Sequence, residues 1–215
     1  RGGAGFPTGI KWQTVADMEA DQKYIACNAD EGDSGTFSDR ILMEGDPLGL
    51  IESMALAGFA VGANKGYIYL RSEYPLTHSI LSRALDIARD GGWLGANIQD
   101  SGFAFDIELP LGAGSYVCGV DTAMLESLEG KKGLVRYTPP LPAPEGLFGN
   151  PSVVFNVVSL ATVPNFVIVG GARYAMLGVT RYKGTLAFLL AGKFKRGGLV
   201  EKSFGITLRV LIEDW

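Results

Sequence analysis

The amino-acid sequence predicts an α/β domain with a largely parallel sheet, and three observations carry that prediction. Short apolar runs of strand length alternate with stretches in which apolar residues recur at helical spacing. Glycine is in excess at 30 of 215 residues, without a repeat period, which suggests loops where backbone meets ligand as well as ordinary turns. Polar segments rich in Asn, Asp and Glu follow the strand candidates directly, where open α/β sheets bind their ligands.

Taken in order, the opening segment Arg1–Lys11 is glycine-rich and reads as a loop. Lys23–Asn28 is a short apolar run suited to a buried strand, with Ala29-Asp30-Glu31-Gly32-Asp33 directly after it. Asp46-Pro47 reads as an N-cap followed by proline at the first helical position. The helix it opens carries Leu50, Ile51, Met54 and Ala55 and ends near Gly62. Gly66–Leu70 is a second strand, with Arg71-Ser72-Glu73 at its C-terminal end. Ile80, Leu81, Ala84, Leu85 and Ala88 predict a helix that stops at Gly91-Gly92. Phe105–Leu109 is a third strand, Gly112–Gly119 a second glycine-rich loop, and Thr122–Leu128 a short helix. Pro139–Pro144 is expected to be rigid and extended. The last third is expected to hold a buried apolar helix near Asn156–Val169, strands around Thr185–Ala191 and a helical stretch at Thr207–Ile212.

Composition narrows the function. A net charge of −4 without a lysine or arginine run argues against nucleic acid as a partner. Val153–Gly171 is apolar, but Asn156, Ser159, Pro164 and Asn165 interrupt it, so no membrane insertion is expected there. Cys27 and Cys118 sit in apolar runs and read as buried, reduced thiols of a cytoplasmic protein. The chain opens on Arg1-Gly2-Gly3 rather than Met, which suggests a start inside a larger protein or processing.

Two segments could carry ligand chemistry. In Gly2-Gly3-Ala4-Gly5-Phe6-Pro7-Thr8-Gly9-Ile10-Lys11-Trp12, close glycines would let backbone amides approach a phosphate or ring, with Lys11 as a nearby cation. The spacing is not that of a P-loop, and a plain turn remains an alternative. Phe6 could fill core or offer a platform to an adenine ring. The acidic run Asp30-Glu31-Gly32-Asp33 could be a solvated loop or a ligand contact; it lacks a calcium-loop pattern. His78, the sole histidine, reads as a helix-surface residue, and no hydrolytic or zinc constellation appears.

Together these motifs resemble the flavoprotein subunit of respiratory complex I. Arg1–Gly9 with Lys11-Trp12 is similar to that family's NADH-binding glycine loop, and Asn28–Glu31 with Gly35-Thr36 and Asp39-Arg40 to its next motif. Gly112–Gly119 resembles its flavin loop, with Thr122-Ala123 and Ser127–Gly130 following in register. Gly32–Arg40 and Arg71–Pro75 look closest to the beta (diaphorase) subunit of soluble NAD-dependent formate dehydrogenases.

The resemblance implies a flavodoxin-like, Rossmann-like domain over 1–180 that binds FMN and NADH. It further implies the start of a small ubiquitin-like (SLBB-type) α+β domain over 184–215, with the C-terminal iron–sulfur bundle and its 4Fe–4S ligands absent. It implies hydride transfer between NAD(H) and FMN, and partners in a multisubunit dehydrogenase that include a 2Fe–2S subunit. The implied contacts are Gly2, Gly3, Lys11, Asn28, Asp30, Tyr116 and Asn156 around FMN. Gly5, Phe6 and Asp33 are implied around NADH, and Gly112, Gly114, Gly119 and Asp121 in the flavin loop. Val120 replaces a family carboxylate and Phe155 a family asparagine. Those departures support the rival reading, a non-catalytic structural or docking paralogue without flavin.

Overall fold

The computed structural model describes residues 5–214. The chain divides into two compact units, Arg1–Val163 and Pro164–Trp215.

The first unit is built on a four-stranded, all-parallel sheet in the order β3-β2-β1-β4, where β1 is Tyr24–Ala29, β2 Lys65–Leu70, β3 Asp106–Glu108 and β4 Ser152–Asn156. Side chains alternate across a strand, so each inner strand feeds two cores. Ile25, Cys27 and Ala29 of β1 enter the larger core with α1 (Thr8–Asp17), α2 (Ser38–Gly45), α3 (Pro47–Val61) and α4 (Pro75–Asp90). Ala26 joins Tyr69, Val154, Cys118, Met124 and Leu125 in a smaller core under α5 (Asp121–Leu128). Both cysteines are buried and unpaired.

Local chemistry fixes several of these elements. Asp46 caps α3 by accepting from the Gly49 amide at 3.0 Å, Pro47 starts the helix, and Gly62 ends it at φ +76°. Residues Leu81, Leu85 and Ala88 put the apolar stripe of α4 onto the sheet, and the helix stops before Gly91-Gly92. Lys23, nearly buried, gives its ammonium to the Ala16 and Val61 carbonyls at 3.0 and 3.1 Å. It thereby caps the C-terminal ends of α1 and α3 together.

The structure departs from the sequence reading in four places. The opening loop ends sooner, because α1 begins at Thr8 and takes in Gly9 through Lys11. A glycine inside a helix costs about 1 kcal/mol, which the fully buried Val15 and the packing of Trp12 offset. The helix expected near Asn156–Val169 is present but broken into two short helices, α6 (Val157–Leu160) and α7 (Val163–Val169), and the apolar residues just before it form the parallel strand β4. A short apolar run does not separate strand from helix by periodicity, and here β-branched Val153 and Val154 pair in register with β1. Helix α2 lay outside the periodic signals. Finally, residues 138–144 bend and turn rather than extend, with cis peptides at Thr138–Pro139 and Pro139–Pro140.

The second unit carries α8 (Gly171–Tyr174) and the antiparallel pairs β5 (Gly178–Val179) with β6 (Tyr182–Lys183) and β7 (Thr185–Leu190) with β8 (Gly198–Ser203). It closes on α9 (Leu208–Glu213), capped by Thr207, whose hydroxyl accepts from the Val210 amide at 3.3 Å. Among the described residues no helix is long and apolar enough to cross a membrane.

Candidate functional site

The C-terminal edge of the parallel sheet gathers most of the residues singled out above. Asn28, half-buried near the end of β1, stands in register with Asn156 on β4. Its amide nitrogen donates to the Gly119 carbonyl at 2.8 Å and to Asp121 Oδ1 at 3.2 Å, and its Oδ1 accepts from the Asp30 amide at 3.3 Å. One side chain therefore ties the end of β1, the second glycine loop and the start of α5. Glycine suits position 119, where a Cβ would lie a close 3.2 Å from the Asp30 carbonyl.

Asn156 caps α6 by accepting from the Ser159 amide at 2.9 Å, which leaves its amide nitrogen without a protein partner among the described residues. Lys11 reaches the same edge from α1. Its ammonium donates to the Val154 carbonyl at 3.1 Å and sits 5.1 Å from the centre of the Phe155 ring. Among the described residues no carboxylate pairs with it, so its remaining donors are open to an anion.

Phe155 meets this edge only where its ring adjoins the Lys11 ammonium. Its side chain alternates with Asn156 to the opposite face and lies in the larger core, 6% exposed, beside Trp12. Val120 is half exposed at the N-cap of α5, and its neighbour Asp121 holds Asn28.

The glycine loop begins as a continuation of the sheet edge. The Gly112 amide donates to the Leu70 carbonyl at 2.6 Å, and a Cβ at Gly112 would meet the Tyr69 ring at 3.0 Å. Gly114 adopts φ +69°, a left-handed conformation that L side chains rarely take. Beyond it, the mostly exposed Tyr116 donates its hydroxyl to Asp33 Oδ1 at 2.6 Å and covers Gly32, where a Cβ would lie 3.0 Å from the ring. The hydrogen bond to Asp33 and that carboxylate's charge hold the Tyr116 phenol above its ordinary pKa. Burial raises the Asp30 carboxyl, with Arg71 opposing and Glu73 adding to the effect.

Of the expected contacts, Asn28, Asp30, Gly119 and Asp121 thus join at one edge with Asn156 in register beside them, while Lys11 meets β4 at Val154 and Phe155. Asp33 and Tyr116 form a second pair on the adjoining loops. Gly5, at φ +57°, and the half-exposed Phe6 lie ahead of α1 with open space beside Gly5. Gly2 and Gly3 lie outside the described residues. His78 is a partly exposed residue of α4.

Sequence reasoning read Glu31 as a solvated residue or a ligand contact of the acidic run and gave Arg71 no role. Glu31 is buried, and Arg71 donates to its backbone carbonyl while pairing with Glu73 at 3.2 Å. Gly32 was missed as well; the signal was a glycine between two acids.

The described residues offer features that a phosphate-bearing, planar ligand needs: an ammonium and a side-chain amide with donors to spare among those residues, glycine backbone, and carboxylates that can accept from hydroxyls. Comparison with known proteins agrees. The model of the Nuo51 FMN-binding domain matches residues 1–165. The NADP-reducing hydrogenase subunit HndC of Solidesulfovibrio fructosivorans is 50% identical over 214 residues, covering 100% of this chain and 44% of that protein. An NADH-quinone oxidoreductase subunit of Rhizobium meliloti is 47% identical over 214 residues, with 100% and 51% covered. The chain thus spans about half the length of the curated relatives it matches. The crystal structure of an NAD+-reducing NiFe-hydrogenase in its H2-reduced state superposes with a TM-score of 0.88 at 36% identity, over 97% of this chain and 35% of that one. With a match over the first 165 of its 215 residues, the chain belongs to the family of the Nuo51 FMN-binding domain.

Proposed function

We propose that this chain binds FMN and a nicotinamide dinucleotide at the C-terminal edge of its sheet and brings the two together for hydride transfer within a multisubunit dehydrogenase. What supports the reading is the strand-end group Asn28, Asp121 and Asn156, with the Lys11 ammonium held on the neighbouring Val154 carbonyl of β4 and without a carboxylate partner among the described residues. Lys11 would meet the anionic part of the flavin, and Asn156 would offer its amide N–H. Asn28 spends its side chain on the protein, so it would hold the loops rather than the ligand. Asp33, on an exposed turn beside Tyr116, would face the nicotinamide nucleotide, with Gly5 and Phe6 flanking it. FMN, when bound, accepts two electrons as a hydride and releases them one at a time. The protein's work is then orientation and exclusion of water, with no acid–base residue required.

The β7–β8 hairpin followed by α9 supports reading 184–215 as the opening of a ubiquitin-like domain, after an FMN- and NADH-binding domain over 1–180. Two buried, unpaired cysteines suit a reducing, cytoplasmic setting. The relatives' names support the assignment to a multisubunit assembly, in which a 2Fe–2S subunit would be one partner.

The test is direct. Purified protein, reconstituted with FMN if needed, should release FMN on denaturation, and NADH should bleach the bound flavin in stopped flow. Absence of flavin uptake at high FMN would sink the binding assignment. Flavin reduced by dithionite but never by NADH would sink the hydride assignment alone.

A further inference from the structure

Glu31 lies between Asp30 and Asp33, yet its side chain turns away from the sheet edge into the body of the unit, where it is 7% exposed. Oε1 accepts from Ser38 Oγ at 3.1 Å and the Asp39 amide at 3.0 Å; Oε2 accepts from the Arg40 amide and the Tyr74 hydroxyl, each at 3.2 Å. Three of these donors come from the first turn of α2 and the fourth from the residue that precedes α4. The Glu31 backbone carbonyl receives the Arg71 guanidinium from the end of β2. One residue thus joins the strand end to two helices and to the neighbouring strand.

The surroundings register its negative charge. Burial and then the Glu31 charge push the Tyr74 phenol up to about 12, and the same two causes raise the Asp39 carboxyl to about 7. A buried carboxylate is costly unless every acceptor site is used. A turn that needed only to reverse direction could be made from solvated residues. Four donors on one buried acid therefore indicate that the position of this loop matters.

We propose that Glu31 is a positioning residue: its carboxylate clamps the Asp30–Gly35 loop to α2 and α4 and so presets Asp30 and Asp33 for the bound cofactors without touching them. The identity of those cofactors rests on the function proposed above; the clamp itself does not. Glu31→Gln keeps the size of the side chain but places an amide donor against backbone amides, while Tyr74→Phe removes one donor and keeps the carboxylate.

The test uses the whole chain and three readouts: amide hydrogen exchange of the ligand-free protein, thermal unfolding, and FMN affinity by fluorescence quenching well below the unfolding temperature. In Glu31→Gln, losing charge-assisted bonds should make the Asp39 and Arg40 amides exchange at least about tenfold faster and weaken FMN about tenfold. Tyr74→Phe should weaken FMN by a smaller factor, about threefold, and it carries the test if Glu31→Gln does not fold. A lowered unfolding temperature with wild-type FMN affinity would reduce Glu31 to a helix cap and overturn the proposal. Unchanged exchange in both variants would overturn the clamp itself. If wild-type protein takes up no flavin, the cofactor assignment falls separately, and exchange alone decides the clamp.

Discussion

Asp39→Asn should make the protein more stable at pH 8 and leave it unchanged near pH 4. Asp39 stands in the first turn of α2, where its amide donates to Glu31 Oε1 at 3.0 Å. Burial is the main cause that raises its carboxyl to about 7, the Glu31 charge adds to it, and a hydrogen bond from the Val158 amide opposes it. Unfolded, the same carboxyl titrates near the ordinary value of about 3.9. Below that value both states hold the proton and the folded state bears no penalty. As pH rises toward 7 the unfolded chain releases the proton first, so stability falls across that window and is level above it. Three pH units correspond to about 4 kcal/mol as a ceiling, and screening by nearby solvent reduces this to about 2 kcal/mol. Asparagine keeps the shape and an acceptor for Val158 but carries no charge. The assay is urea unfolding at pH 4, 6 and 8 at matched ionic strength, followed by tryptophan fluorescence. Trp12 and Trp93 both lie in the first unit. The wild-type midpoint should fall between pH 4 and 8 more steeply than that of the variant. Parallel pH profiles, or a variant less stable at pH 8, would refute the reasoning.

Three further outcomes follow from the geometry. Lys11→Ala should raise the FMN dissociation constant tenfold or more in an equilibrium titration, because a charge-assisted hydrogen bond is worth roughly 1.5–3 kcal/mol; an unchanged constant would remove Lys11 from the site. Arg136 donates to Glu126 at 2.5 Å, Glu129 at 2.6 Å and the Gly146 carbonyl at 2.8 Å, and the Glu129 side chain is only 6% exposed. Arg136→Ala strands these acceptors and should cost about 3 kcal/mol in chemical denaturation, whereas a loss within error would mark the cluster as solvated. Gly58→Ala would place a methyl 2.6 Å from the fully buried Phe105 ring. Overpacking of about 1–3 kcal/mol should exceed the gain of about 1 kcal/mol in helix propensity, so a raised unfolding temperature would contradict the packing described.

The sequence by itself determined the elements whose signals are local. Asp46-Pro47 and Gly62 bracket α3 because a cap, a fixed φ and a left-handed glycine act within a few residues. The apolar spacing of α4 and the strands β1 and β2 were legible for the same reason, as was the ordered set of glycine and acidic motifs that marks the family. Tertiary structure decided the rest. Gly9–Trp12 is helical because Val15 and Trp12 find a core, although glycine there disfavours a helix. Val153–Asn156 is a strand because β1 offers an open edge in register, and only that pairing sends Phe155 inward while Asn156 stays level with Asn28. Glu31 reads in the sequence as one acid among three. Its role depends on donors 7, 8, 9 and 43 residues further along the chain, and no local pattern encodes where those donors meet. Hydrogen-bond satisfaction of a buried charge is a property of the assembled fold.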